Sequence, residues 1–119
     1  MASVWSYEGM RVVVSGGGGA GMGAATVTEL AALGAEIHVL DLKEPPVDVA
    51  SYQSVDLKDP DAAVRALDKI GGTLHALFNC AGLPGPPCSD LDTMVVNFVA
   101  MRHLAELSAA RMTDAFSNA

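Results

Sequence analysis

The chain has 119 residues, with seven Lys and Arg against 14 Asp and Glu, and half of its residues are apolar. A length in this range suits a single domain, and a net charge of −7 without a basic run argues against binding to nucleic acid or to an anionic membrane surface. The apolar content excludes intrinsic disorder, and the N-terminus lacks the features of a signal peptide, so we expect a cytoplasmic protein.

Short apolar runs alternate with amphipathic segments along the chain, which is typical of β-α-β units. The predicted elements are strand 11–15, helix 22–33, strand 36–41, strand 51–55, helix 60–70, strand 74–80 and helix 91–112. Gly34 is placed to end the first helix and Asp59 to cap the second, with Pro60 at its first position. Short connections imply right-handed crossovers, which predicts the α/β class with a parallel sheet and helices on both faces.

A glycine-rich segment, Ser15–Gly23, lies between the first strand and the first helix. Glycines let the backbone turn sharply and approach a pyrophosphate, and the helix N-terminus offers free N–H groups with a partial positive charge. Asp41 ends the second strand, where its carboxylate can accept hydrogen bonds from both ribose hydroxyls of an adenosine. The alternative interpretation is a plain flexible turn. The spacing favours a dinucleotide site.

The charges around this segment favour NAD(H) over NADP(H). Asp41 would face a 2′-phosphate with like charge, and residues 15–23 contain no Arg or Lys that could neutralise one. Lys43 is the only cation nearby in the sequence. The scattered histidines and cysteines show no metal-ligand spacing, so we expect no metal site.

At these residues the chain resembles the short-chain dehydrogenase/reductase family, whose loop reads T-G-x-x-x-G-x-G. Gly17, Gly21 and Gly23 reproduce the three glycines. The family threonine falls on Gly16, unless Ser15 takes its role and the loop carries one extra residue. The segment 79–82 resembles the family's N-N-A-G, with Cys80 at the second position. The resemblance covers about residues 9–111 and implies a Rossmann-like sheet of about four strands, ordered 3-2-1-4, in one dinucleotide-binding domain spanning 1–119.

The resemblance also implies roles for single residues. The cofactor-binding residues inferred from the sequence and the resemblance are Ser15, Gly17, Gly21, Met22, Gly23, Asp41, Leu42, Asp56, Leu57, Asn79, Ala81 and Gly82. Asn97, in the long helix, resembles the asparagine that supports a proton-relay water in family members. Each assignment has a plainer alternative: Asp56 as a solvated residue before the Asp59 cap, Asn79 as a strand-end turn residue, and Asn97 as a hydrogen-bonded core amide.

Catalysis in this family, as the resemblance implies, uses a Tyr-x-x-x-Lys pair that this chain lacks. Its only tyrosines are Tyr7 and Tyr52, and the residues four further on are Arg11 and Asp56. We therefore expect the cofactor-binding half of an alcohol or carbonyl oxidoreductase, ending before the fifth strand of the sheet and inactive by itself. The alternatives are a non-catalytic nucleotide-binding sensor or interaction module, and a domain that pairs with another chain. We expect a homo-oligomer or such a pairing.

Overall fold

The structure, a computed structural model, describes residues 6–112. Its strands are β1 Arg11–Ser15, β2 Glu36–Asp41, β3 Ser51–Ser54 and β4 Ala76–Asn79. They form one four-stranded sheet in the order β3-β2-β1-β4, with every neighbouring pair parallel. The fold class and the strand order expected from the sequence are confirmed. β4 is shorter than the predicted 74–80. At its start, the N–H of Leu74 donates to the carbonyl of Arg111 (3.1 Å) instead of to a strand, whereas His75 and Cys80 still donate to Arg11 and Ser15 at the two ends of β1.

The helices are α1 Met22–Ala32, α2 Pro60–Ile70, α3 Asp90–Met94, a π-helical segment Val95–Ala100, and α4 Met101–Ala110. The predicted signals at the helix ends are confirmed. Asp59 caps α2 by accepting a hydrogen bond from the N–H of Asp61 (3.0 Å), with Pro60 beside it. Gly34 follows α1 with φ of +88°. No helix within residues 6–112 combines the length and the apolar character needed to cross a membrane.

Two apolar clusters hold helices to opposite faces of the sheet. Val12, Val14, Ile37 and Val39 pack against α1, whereas the alternate strand residues Val13 and Leu40 pack against α2 and α4. Because side chains alternate across a strand, burial on both faces requires the nearly continuous apolar runs seen in β1 and β2. This packing leaves the strand ends, and the loops that follow them, as the places where polar groups gather.

The long helix, residues 90–110, is continuous but contains the π-helical segment. Its buried side is formed by Val96, Ala100, Leu104 and Ser108, spaced four residues apart. A π turn closes i→i+5 hydrogen bonds and so takes up more residues than an α turn, which shifts the faces of the helix. The sequence predicts one apolar face of the long helix from Val95, Phe98, Arg102 and Ala105, which recur at α-helical spacing. This prediction is wrong, because all of them except the half-buried Val95 are exposed and the sheet is covered by the face that includes Leu104.

Candidate functional site

The carboxyl ends of β1, β2 and β4 meet at one edge of the sheet, and the sequence-predicted site residues follow them. The glycine-rich segment leaves β1, Asp41 ends β2, and Asn79 ends β4. In open α/β sheets, ligands bind in the crevice outside this edge, where neighbouring connections run to opposite faces. Here β1 lies between β2 and β4, so the crevice opens beside the loop that follows β1.

Two of the loop glycines pack inward and hold the loop on the sheet. A Cβ on Gly23 would overlap the carbonyl oxygen of Gly16, so α1 could not start so close to β1 with any other residue there. A Cβ on Gly17 would approach the side chain of Val27 to 2.7 Å and that of Val14 to 3.0 Å. These positions need glycine for close packing.

Gly21 differs, because a Cβ added to it would meet no atom within 4 Å. Its φ of +136° and ψ of −162° lie in a region that favours glycine, and it precedes the first turn of α1. The first turn of α1 has neither a side-chain cap nor an acidic residue, so no side chain of the helix end pairs with its N–H groups or offsets its partial positive charge. Met22, at the start of the helix, is 83% exposed. The arrangement matches an anion-binding helix N-terminus.

Asp41 is fixed against the glycine-rich segment by its own carboxylate. Oδ2 accepts a hydrogen bond from the N–H of Gly18 (2.8 Å), and Oδ1 accepts from the N–H groups of Leu42 (2.6 Å) and Lys43 (3.3 Å). A carboxylate has about four acceptor positions, so a ribose hydroxyl can still bind. Leu42 stays 65% exposed beside it. Asp41 is therefore oriented before any ligand arrives.

The segment after β2 also contacts the glycine-rich loop, which sequence reasoning missed. The N–H of Gly19 donates to the carbonyl of Glu44 (2.8 Å), and a Cβ on Gly18 would overlap the carbonyl oxygen of Lys43. The signal that was available is Pro45, because a proline disfavours the helical conformation of the residue before it and so favours an extended Glu44. Residues 43–44 thus brace the loop from the side of β2.

Ser15 and Asn79 join the ends of β1 and β4. The Ser15 hydroxyl donates to Oδ1 of Asn79 (2.7 Å) and accepts from the N–H of Ala81 (3.4 Å). Nδ2 of Asn79 donates to the carbonyl of Met101 (3.0 Å), which ties the sheet edge to the long helix. Ser15 is fully buried, whereas Gly16 has φ of +72° and lies against the backbone of Ala81. Of the two residues considered for the threonine position, Ser15 therefore makes the hydroxyl contacts.

Asn97 lies in the π-helical segment and binds the loop after β4. Its Oδ1 accepts from the N–H of Leu83 (2.6 Å) and its Nδ2 donates to the carbonyl of the same residue (2.8 Å). A Cβ on Gly82 would lie 3.3 Å from Oδ1 of Asn97. The Asn97 side chain is exposed and its amide is paired, so in this structure it positions residues 82–83.

Asp56 and Leu57 follow β3 and make different contacts. Asp56 is exposed, and its Oδ1 accepts from the N–H of Lys58 (3.0 Å) while its carbonyl accepts from the N–H of Asp59 (3.0 Å). Leu57 packs on the cluster beneath α2 and lines a groove of about 300 Å³ between α2 and the long helix. Asp56 thus forms the turn that leads into the Asp59 cap, and its contact with a cofactor stays a prediction.

Clusters of three or more His, Cys, Asp or Glu side chains that could hold a metal ion are not found among residues 6–112.

Comparison with known proteins gives a consistent family assignment. The model of the NAD dependent epimerase/dehydratase family matches residues 12–119. A coniferyl-alcohol dehydrogenase from Pseudomonas sp. strain HR199 is 28% identical over 102 residues, which are 86% of this chain and 39% of that protein. A short-chain dehydrogenase/reductase from Serratia marcescens is 27% identical, with a TM-score of 0.70 over 88% of this chain and 53% of that one.

A further solved structure shares the fold. Carveol dehydrogenase from Mycobacterium avium, in complex with NAD, gives a TM-score of 0.76 at 20% identity, over 91% of this chain and 51% of that one. The chain thus spans between about two fifths and half of the length of these three relatives.

Proposed function

Because the chain belongs to the NAD dependent epimerase/dehydratase family, within the short-chain dehydrogenase/reductase superfamily, we propose that it is the NAD(H)-binding domain of an oxidoreductase that acts on an alcohol or carbonyl substrate. The observation that carries the proposal is the N-terminus of α1, which has no side-chain cap and opens beside Gly21 onto free space. A pyrophosphate fits there because backbone N–H groups and the helix dipole both favour an anion.

The residues around this helix end fit the rest of a dinucleotide. Asp41 offers its remaining acceptor position to the adenosine ribose, and the exposed side chains of Met22 and Leu42 supply apolar surface at the same edge. Ser15, Asn79 and Ala81 keep the end of β4 next to the loop, and Gly82 follows them beside the side chain of Asn97. When bound, a nicotinamide dinucleotide supplies or accepts a hydride. This chain's residues bind and orient it.

The substrate class is proposed from the relatives. Two of them are named as dehydrogenases of alcohols, coniferyl alcohol and carveol. Proton exchange with such a substrate needs a general acid or base with a suitable pKa, and neither Tyr7 nor Tyr52 is followed by a lysine four residues on. We therefore expect the 119-residue chain to bind NADH but to show no turnover with alcohols. Turnover would contradict this part of the proposal. The position of Asn97 beside Leu83 is compatible with supporting a substrate-side water, which stays a prediction.

The charge on Asp41 is expected to set the cofactor preference. Asp41→Ala should weaken NADH binding by about 1–3 kcal/mol, because a charge-assisted hydrogen bond to the ribose and the anchor of Gly18 are lost together. Titration of NADH fluorescence measures the dissociation constants. Asp48→Ala, which removes an exposed carboxylate from the same connection, is the matched control and should bind normally. Equal affinity of the unaltered chain for NADH and NADPH would overturn the assignment.

We propose that the chain associates with itself or with another chain. β4 is an edge strand of the described sheet, and its unpaired backbone groups invite pairing. Along the long helix, Met94, Phe98 and Val99 are each more than half exposed. Covering about 800 Å² per partner would suffice for a specific interface.

Light scattering at micromolar concentration tests this association. A mass above the 12.2 kDa of one chain that rises with concentration is expected, although the net charge of −7 opposes it. Repulsion between surface charges is screened over about 8 Å at physiological salt, so short-range apolar contact should prevail. A constant mass of one chain would contradict the prediction.

A further inference from the structure

A chain of hydrogen-bonded side chains lies at the amino edge of the sheet, opposite the nucleotide site. The parallel register pairs Arg11 with Glu36 and His38 with Ser51. Glu36 and His38 are two residues apart on β2, so their side chains share one face of the sheet. The arrangement therefore follows from strand periodicity and register, and the proposed dinucleotide function uses none of these residues.

The distances within this cluster match a hydroxyl–imidazole–carboxylate relay. Oγ of Ser51 lies 2.6 Å from Nδ1 of His38, and Nε2 of His38 lies 2.8 Å from Oε2 of Glu36. Hydrogen bonds from His38 and Arg11 hold the pKa of Glu36 below its usual value of 4.5, so its carboxylate is ionised at neutral pH. An ionised carboxylate accepts from Nε2–H, which leaves Nδ1 free to accept the Ser51 hydroxyl proton.

Arg11 fixes the carboxylate end of the relay. Its Nε donates to Oε2 of Glu36 (2.6 Å), and its terminal nitrogens donate to the carbonyls of Ile70, Gly71 and Thr73. His38 is 7% exposed, so its ring is held between Glu36 and Ser51 and shielded from water. A buried imidazole oriented on one side by a carboxylate is the arrangement that activates a neighbouring hydroxyl.

The hydroxyl end of the relay opens into a groove. The groove has a volume of about 210 Å³ and is lined by His38, Ser51, Tyr52, Gln53, Lys69 and Ile70. The volume is below the roughly 300 Å³ at which drug-sized ligand sites begin, so the space suits a small substrate.

Donors for a developing negative charge are present beside Ser51. β3 is an edge strand of the described sheet, and the N–H of Ala50 donates to the carbonyl of Ile37 on β2. Backbone groups alternate in direction along a strand, so the N–H of Ser51 points away from β2, toward the open edge. The cationic side chain of Lys69 lines the same groove. Both can stabilise an oxyanion.

We propose that Ser51 and His38, positioned by Glu36, form a nucleophilic centre that takes the acyl group of small esters and passes it to water. Oγ of Ser51 forms a bond to the ester carbonyl carbon while its proton moves to Nδ1 of His38. The bond to the leaving alkoxide then breaks, and the alkoxide leaves as an alcohol with the proton from His38. Water attacks the acyl-Ser51, returning free Ser51 and a carboxylic acid.

A fluorophosphonate probe on the 119-residue chain tests the nucleophile, with the modified residue mapped by mass spectrometry. We expect one adduct on Ser51, absent in Ser51→Ala. Ser54→Ala is the matched control, because Ser54 is an exposed serine on the same strand, paired with Asp41 and away from His38. The Ser54→Ala variant should be labelled on Ser51 at the same rate as the unaltered chain. Absence of an adduct on Ser51 in the unaltered chain would overturn the proposal.

Two further variants separate activation from structural support. His38→Gln should slow labelling by about 100-fold or more, the usual contribution of a general base. Glu36→Gln should slow the maximal labelling rate by at least about tenfold without changing the probe concentration that gives half of that rate. Circular dichroism confirms that each variant is folded. Because Glu36 is about half exposed, its replacement keeps the test available if the His38 variant does not fold. Labelling at the unaltered rate in either folded variant would overturn the proposal.

The same variants give a second readout with p-nitrophenyl acetate. The unaltered chain should release nitrophenolate faster than Ser51→Ala, and equal rates would contradict ester turnover. The proposed NADH site lies at the opposite edge of the sheet. Whether these variants still bind NADH therefore neither supports nor contradicts the proposed ester hydrolysis.

Discussion

Replacing Gly21 with valine is expected to abolish NADH binding while the chain stays folded. A Cβ at this position meets no protein atom within 4 Å, so the protein itself leaves room for the added side chain beside the N-terminus of α1. This is the space in which we propose that the pyrophosphate binds, so the valine would compete with it. Loss of this contact removes the charge-assisted hydrogen bonds that the helix end would donate. Titration of NADH fluorescence should then show no saturable binding at concentrations that saturate the unaltered chain.

The matched control for this variant is Gly9→Val. Gly9 also has a positive φ, +79°, and also has open space around its missing side chain, but it lies in the turn before β1. Both variants therefore carry a similar backbone strain, on the order of 1–3 kcal/mol, and only one of them obstructs the helix end. Gly9→Val should bind NADH normally. If a folded Gly21→Val variant binds equally well, the glycine-rich segment is a plain turn and the proposed site is wrong.

Truncating Leu104 to alanine is expected to cost about 2–5 kcal/mol of the free energy of unfolding. Leu104 is 1% exposed and belongs to the cluster that joins the long helix to α2 and the sheet. A cavity there removes apolar contacts that hold the helix on the core, and small domains are stable by only about 5–15 kcal/mol in total. Urea unfolding followed by circular dichroism measures the change.

Leu91→Ala in the same helix is the matched control for the Leu104 variant, because it makes the identical substitution. Leu91 is 72% exposed, so removing its side chain should change the free energy of unfolding by about 1 kcal/mol or less. A larger loss from Leu91→Ala than from Leu104→Ala would mean that the helix packs on the sheet by a different face. The pair of variants thus tests which face of the long helix is buried.

The local elements could be predicted because their signals lie within a few neighbouring residues. The apolar run of β1 stops at the glycines, Asp59 and Pro60 mark the start of α2, and Gly34 follows α1. Right-handed crossovers limit the arrangements of parallel strands with short connections but do not choose one strand order. The resemblance of the loop and of residues 79–82 to one family supplied the order that the structure confirms.

The site was predicted as a set of positions but not as a set of contacts. The sequence placed Asp41 at the end of β2 and left the threonine position open between Ser15 and Gly16. Only the pairing of β1 with β4 shows that the Ser15 hydroxyl reaches Asn79 and Ala81. The contact of Glu44 with Gly19 likewise joins two connections that are distant in sequence. Contacts of this kind depend on register, which no local pattern contains.

The sequence by itself determined the class of fold, the glycine-rich turn and the acid that faces it, because residue type and short-range spacing dictate backbone conformation. The tertiary structure alone decided which face of the long helix is buried, since Leu104 packs on residues of α2 and the sheet that are distant in sequence. It also decided that the side chain of Asn97, in the π-helical segment, pairs with Leu83. It likewise decided that His38 meets Ser51 and Glu36, through the register of β2 with β3. All three outcomes are non-local, because they depend on how elements pack and not on the residues within each one.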